Sequence, residues 1–266
     1  MVDILYRMPS FLLFIITSFS CMLIAIILTK CVHKYIPLKF RYEENQAIVC
    51  VSALIGIIYA VLVGFVVLYE LNNFNKASEA ESAEAKAAFD IFRLAHVLPE
   101  PMSQNIRKFT VNYIENAIQN EWPLMAQGSV VNDTGITAIE NISKELRSFN
   151  IDNLSITILQ TLNSLSINSN KLFDAHQERV SKIHTALSAN IWFVLILGTL
   201  LTIGINCILG MEPRLHLVCI IFISLIVAAV LYLIITLDRP YRGDFSIQPN
   251  TFIYTLEYIN LKADLI

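Results

Sequence analysis

This chain of 266 residues is short of charge: Asp, Glu, Lys and Arg make up 15 % of it, against 55 % apolar residues. A soluble globular domain carries roughly 25 % charged residues, so the chain cannot solvate a surface of its own in water. The same shortage excludes a disordered chain, which lacks apolar surface to bury. The net charge is only −3 and no stripe gathers the 19 Lys and Arg, which excludes nucleic acid as a partner. Eight glycines and eight prolines leave long stretches without a helix breaker. Also missing are a Gly-x-Ser-x-Gly elbow, a Walker loop, a His-Glu-x-x-His pair and a glycine-rich dinucleotide turn. With no catalytic constellation, cofactor motif or metal motif, the chain does not read as an enzyme.

What is abundant is long apolar segments. Phe11–Leu28, Ala47–Tyr69 and Ser188–Leu209 hold no charged side chain, and Leu215–Leu237 holds only His216. Each suits a helix crossing a ~30 Å hydrocarbon core, where only helices and closed barrels satisfy their backbone groups. The chain therefore reads as an all-α, four-span integral membrane protein with the bilayer as its first partner. No small-residue cleavage site follows Leu28, so the first span is expected to be retained. Of the five cysteines, Cys21, Cys50, Cys207 and Cys219 lie in spans and Cys31 at a span end. They suit packing and not a disulfide framework.

The spans form two hairpins. Residues 1–69 hold the first, around the basic loop Lys30–Arg41, and residues 188–237 the second, around Gly210–Arg214. Residues 70–187 form a polar insert expected to be helical and continuous with spans two and three. Residues 238–266 form a turn and a short amphipathic helix with Phe252, Leu256 and Ile259 on one face. No proline occurs between Gln46 and Leu98, which predicts one rod of roughly 50 residues, about 75 Å at 1.5 Å per residue. Leu98-Pro99-Glu100-Pro101 ends it. A second helix is expected from Met102 to Glu121, stopping at Trp122-Pro123, then a loop over Gly128–Gly135. Further helix is expected over Thr137–Phe149 and from Asn153 through Arg179 into the third span. With four spans, both termini and the insert share one side of the membrane. Lys30, Lys34, Lys39, Arg41 and Arg214 stand on the loop side, against Arg7, Lys76, Lys86, Arg179, Lys182, Arg239 and Arg242 on the other, so charge does not choose the orientation.

Span two carries the most informative pattern. Ser52, Gly56, Ala60 and Gly64 make a stripe of small residues, suited to close helix packing. The other side presents Leu54, Ile58, Leu62, Phe65 and Tyr69, then becomes polar at Asn72 and basic at Lys76. Such a face suits lipid, or a pore whose apolar constriction gates by dewetting. Glu79, Glu81 and Glu84 beyond it read as a solvated helix face. His176 with Asp174 or Glu178 has metal-ligand chemistry, but a packed or solvated face is the expectation, as is its pairing with His184 on one side of a helix. After span four, Asp238 is placed to accept freed backbone amides or to pair with Arg239 or Arg242. Pro240 stops the helix, Tyr241 follows, and Gly243 permits a tight turn.

Together these elements resemble the bestrophin-like family of bacterial membrane proteins. The resemblance runs from about Glu44 to Pro249. It rests on Gly56 with Tyr59-Ala60-Val61-Leu62-Val63-Gly64-Phe65-Val66, the Glu-Ala repeats, Leu98-Pro99-Glu100-Pro101 and Glu121-Trp122-Pro123-Leu124-Met125. Trp192 and Gly198, Arg214 with His216, and Asp238-Arg239-Pro240-Tyr241-x-Gly243 complete it. It implies a homo-oligomeric ion channel, a pentamer with span two around the axis, in the bacterial inner membrane with its helical domain in the cytoplasm. Small inorganic ions, anions among them, would be the conducted species. Ile58 and Phe65 would form an apolar neck, and Tyr241 would stand where the family's post-span turn usually has Phe. The acidic run that a calcium clasp needs is reduced here to Asp244. The alternative is a non-conducting, membrane-anchored scaffold or sensor whose helical domain binds a partner protein.

Overall fold

The structure is a computed structural model describing residues 8–35, 42–129, 134–148, 155–183 and 185–263. Among these, every regular element is a helix. In chain order they are α1 (Ser10–Tyr35), α2 (Tyr42–Ala95), α3 (Met102–Asn116), a π-helical turn (Ala117–Glu121) and α4 (Trp122–Gln127). Then follow α5 (Thr134–Ser148), α6 (Ile156–Ser181), α7 (Ala189–Cys207), α8 (Pro213–Leu237) and α9 (Asn250–Ala263). The chain forms two compact units. The first holds residues 1–72, 186–239 and 243–245; the second holds 73–185, 240–242 and 246–266.

The first unit contains four helices long and apolar enough to cross a membrane: α1, α2, α7 and α8. Here α1 packs along α8 and also against α7. Ala25, Ile203, Cys207 and Ile220 form one buried cluster, and Val63, Leu187, Leu195 and Ile234 another. Tyr59 on α2 lies against Gly198 on α7, where a Cβ would collide with the ring. Its hydroxyl bonds Thr199 Oγ1 at 2.7 Å and donates to the Leu195 carbonyl at 3.2 Å. Asn45 clasps Gly210 in both directions, donating to its carbonyl at 2.9 Å and accepting its N–H at 3.0 Å. Pro213 starts α8 where a missing N–H costs nothing. Of the cysteines, Cys21 and Cys207 are buried, whereas Cys31 and Cys50 are exposed and do not serve packing within the chain.

In the second unit, α3 packs on α5, α5 on α6, and α9 on α3. The core runs from Ala77, Ala85, Ala88, Ile91 and Ala95 of α2 through Ile106, Tyr113, Ile142, Leu165 and Leu172 to Phe252 and Ile259 of α9. Small alanines let the other helices approach the α2 backbone closely.

Helix α2 is one unbroken helix of 54 residues, so its predicted continuity holds. The matching prediction for span three does not: α6 ends at Ser181 and α7 begins at Ala189. Ser188 caps α7, its Oγ accepting the Ile191 N–H at 3.4 Å, and the Leu187 N–H donates to Asp238 Oδ1 at 2.6 Å. These acceptors make the break cheap without proline or glycine. The chain also stays helical through Trp122-Pro123. The π-turn before it widens the helix, with the Trp122 N–H reaching back to the Ala117 carbonyl, which relieves the clash proline causes in an α-helix. Thr134 and Gly135, expected in the loop over Gly128–Gly135, belong to α5; residues 130–133 and 149–154, His184, and Arg7, Lys39 and Arg41 of the flanking charges lie outside the described residues.

Candidate functional site

The exposed face of α2 comes first. Leu54, Ile58, Phe65 and Tyr69 are 59, 60, 68 and 55 % exposed, while Leu62 is partly buried against the Val63 cluster. Asn72 and Lys76 are exposed. The side of α2 turned into the first unit carries Tyr59, Val63 and Glu70 instead. The small-residue stripe also lies off that packed side: Ser52 and Gly56 are half-buried, and Ala60 and Gly64 are exposed. A Cβ at Gly56 or Gly64 would meet nothing within 4 Å. Among the described residues, then, no helix comes close at the two glycines of the stripe, whereas Gly198 admits the Tyr59 ring.

Further along α2, polarity turns inward. Glu81 and Glu84 are 4 and 0 % exposed, so the solvated face expected there is confined to exposed Glu79. Glu81 Oε1 accepts the Thr251 N–H at 2.8 Å and Oε2 its hydroxyl at 2.7 Å, anchoring the first turn of α9 with an anion.

Glu84 belongs to a fully buried cluster drawn from four elements. Arg179 of α6 forks onto it, Nε to Oε2 at 2.6 Å and Nη2 to Oε1 at 2.8 Å. Arg179 Nη2 also donates to Glu121, and Nη1 lies 2.9 Å from Met125 Sδ. The guanidinium stacks over Trp122 with 4.8 Å to the ring centroid. The Tyr113 hydroxyl donates to Glu84 and lies 3.1 Å from His176 Nδ1, which is 3.3 Å from Glu84 Oε1. Asn116 donates to Glu121 at 3.0 Å. Gly135 passes so close that a Cβ would meet the Glu121 carboxylate and, at 2.9 Å, His176 Cε1.

Burial alone would raise the Glu84 carboxyl, but the Arg179 charge and the hydrogen bonds of His176 and Arg179 outweigh it and hold it at about 2. Burial, and then the Glu84 charge, push the Tyr113 phenol well above its ordinary range. Burial works against the Arg179 cation, yet Glu84 and Glu121 raise it well above the usual value. One donor atom each from Glu84, Glu121 and His176 lie within 4.8 Å of one another, a spacing that suits a metal ion. Arg179 Nη2, however, stands within bonding distance of all three, 3.2 Å from His176 Nδ1. The guanidinium is the cation of this group. Its fork geometry makes it an internal brace for α2, α6 and the π-turn.

Sequence reading missed this cluster. Arg179 was counted among charges flanking a span and is fully buried, and His176 turns to Glu84 and Glu121 while Asp174 and Glu178 are exposed. The available signal was the four-residue turn of helix between His176 and Arg179 on one face and the run Glu121-Trp122.

The post-span residues are placed unit by unit. In the first, Asp238 accepts from Leu187, its Oδ2 lies 3.9 Å from Arg239, Gly243 adopts φ 85°, and Asp244 accepts the Ser10 N–H at 2.7 Å. In the second, the Pro240 carbonyl accepts the Ile247 N–H at 2.8 Å. Tyr241 is buried, donates to the Ala77 carbonyl at 3.2 Å, and meets Trp122 edge-on at 6.0 Å. Burial pushes its phenol up. The Trp122 indole donates to the Ile247 carbonyl at 3.0 Å.

An all-α protein with four membrane-spanning helices and a long second span that runs on into a helical domain is a narrow class. The Bestrophin-like domain profile matches residues 13–252, and the chain belongs to that family. Solved structures with this fold include a point mutant of a bacterial bestrophin homologue from Klebsiella pneumoniae. It has 16 % identity and a TM-score of 0.69 over 92 % of this chain and 96 % of that one. A second mutant of that homologue gives 0.68 over 93 and 97 %, also at 16 % identity. A point mutant described as a membrane protein gives 0.66 at 16 % identity over 92 and 96 %. No curated protein is significantly similar.

Proposed function

We propose that the chain is one subunit of a homo-oligomeric, bestrophin-like ion channel in which α2 of each copy faces a common axis. One observation carries the reading beyond family membership: α2 presents an apolar face, Leu54, Ile58, Phe65 and Tyr69, that the other described residues leave more than half exposed. A bundle of four close-packed helices leaves no room for a continuous aqueous path, so conduction requires several copies. The stripe of Ser52, Gly56, Ala60 and Gly64, with open space beside both glycines, supports close packing against a neighbouring copy. Ile58 and Phe65 then form stacked apolar rings that exclude water in the closed state, with Asn72 and Lys76 toward one mouth. The family resemblance supports five copies, anion conduction, a bacterial inner membrane and a cytoplasmic helical domain as the finer form of this reading. Asp238, Pro240, Tyr241 and Gly243 serve as a structural closure after the last span.

A second reading has its own support. Within the helical domain a groove of about 590 Å³ runs between α2 and α6, lined by Lys76, Glu79, Lys86, Asp90, Lys171 and Asp174 over an alanine floor. Charges of both signs suit a protein partner of a non-conducting scaffold or sensor.

Ion flux through liposomes containing Phe65→Ala protein, beside a thermal melt, separates the two. The channel reading expects raised leak with little change in melting, because the ring loses apolar surface while Phe65, 68 % exposed, contributes little to the packing within the chain. Unchanged flux with a lowered melting temperature favours the scaffold.

A further inference from the structure

Two histidines of the membrane-spanning unit take part in neither the pore face nor the buried brace. His33 lies in the last turn of α1 and His216 in the first turn of α8. Their rings stack with centroids 5.2 Å apart and planes inclined by 28°. His33 is exposed and His216 is 1 % exposed.

The tautomer of His216 is set by its surroundings. Its Nε2 lies 3.0 Å from the backbone carbonyl of Asn206. A carbonyl can only accept, so Nε2 carries the proton of the neutral ring and Nδ1 presents a bare lone pair. That Nδ1 is buried and has no hydrogen-bond partner among the described residues. A buried acceptor without a donor calls for an explanation. An imidazole that gives one N–H to a backbone carbonyl and offers the other nitrogen is arranged as a metal ligand is.

The local field also favours a cation. His33 stands at the C-terminal end of α1 and Asn206 at that of α7, the ends where a helix carries partial negative charge. The opposing positive end of α8 is covered by Glu212, whose carboxylate accepts the Arg214 and Leu215 N–H groups at 3.1 and 3.0 Å.

We propose that His33 and His216 form a two-histidine site for a divalent transition-metal ion. His216 Nδ1 is the buried ligand, His33 the solvent-facing one, and water completes the coordination. Imidazole pairs suit zinc, nickel and copper, whereas magnesium and calcium take oxygen ligands. The His33 ring, exposed at a helix end, needs only rotation about its own side-chain bonds to aim a nitrogen at the ion. The proposal is independent of whether the protein conducts.

The test uses the full chain in mild detergent, with Zn²⁺ as the probe, read by calorimetric titration and by melting with and without the ion. The wild type should bind Zn²⁺ at least tenfold more tightly than His33→Ala, and Zn²⁺ should raise its melting temperature. His33→Ala and His216→Gln should lose that rise, and His96→Ala, a control at an exposed histidine, should keep it. Because His33 is exposed, its variant should melt normally without metal. Equal Zn²⁺ affinity in the wild type and His33→Ala would overturn the proposal. So would a melting temperature that responds to pH but not to Zn²⁺, the sign of a site that merely takes a proton.

Discussion

Along α2, polarity and exposure are arranged in opposite senses in the two units. In the membrane-spanning unit the outward residues are Leu54, Ile58 and Phe65, while inside the helical domain Glu81 and Glu84 are the ones turned inward. One helix thus obeys two rules. Where lipid or an apolar axis is the surroundings, apolar surface outside costs nothing, and the packed face rests mainly on shape, as Tyr59 on Gly198 shows, turning acidic only at Glu70 near the end of the unit. In the water-facing domain, charge is tolerated inside because a partner arrives from far along the chain: Arg179 for Glu84, and the α9 N-terminus for Glu81. Exposure follows the solvent, and burial of charge follows the availability of a counter-ion.

That contrast can be broken most forcibly at Arg179. Arg179→Met leaves two carboxylates buried without their cation and should cost ~3–5 kcal/mol, seen as a large fall in melting temperature. Its pH dependence should invert as well. In the wild type Glu84 titrates at about 2, below the ~4.3 of an unfolded glutamate. Its contribution is therefore fully present above about pH 4.3 and is lost as pH falls toward 2. Without Arg179, burial raises the carboxyl, so mild acid should stabilise the variant relative to neutral pH. Melting curves from pH 7 to pH 3 decide this.

Smaller effects sharpen the comparison. Asp238→Ala strands the Leu187 N–H at the break between α6 and α7 and should cost ~1–3 kcal/mol. Glu81→Ala removes the anchor of α9 and should cost about 1 kcal/mol, with faster hydrogen exchange confined to that helix. At the outer face of the membrane unit, Ile58→Ala in the dissociated subunit should stay within about 0.5 kcal/mol, as an exposed position does.

The four spans, the unbroken α2 and the amphipathic α9 were legible because each rests on local signals: apolar runs, absent breakers, and Phe252, Leu256 and Ile259 at helical spacing. The break before α7 was not, because Ser181 to Ser188 contains neither proline nor glycine and its acceptor, Asp238, lies beyond the next two spans. Passage through Pro123 was hidden for a related reason, since a π-turn leaves no mark on composition. The brace of Glu84, Tyr113, Glu121, His176 and Arg179 left only a faint mark, the spacing of His176 and Arg179 on one helix face and the run Glu121-Trp122. Glu84, Glu121 and Arg179 each alone look like solvated helical charges, and only tertiary packing joins them to Tyr113 and His176. The α2 face was legible as a pattern, while its surroundings, lipid or axis, are a property of the assembly.

The measurement that bears most directly on the channel reading is a cysteine scan from Leu54 to Asn72 in a cysteine-free background, with a water-soluble thiol reagent applied to protein in liposomes. The account predicts modification at Leu54, Ile58, Phe65, Tyr69 and Asn72 with helical period, and block of ion flux by the same reagent. Uniform protection from Leu54 to Phe65, with flux unaffected, would place that face in lipid and contradict it.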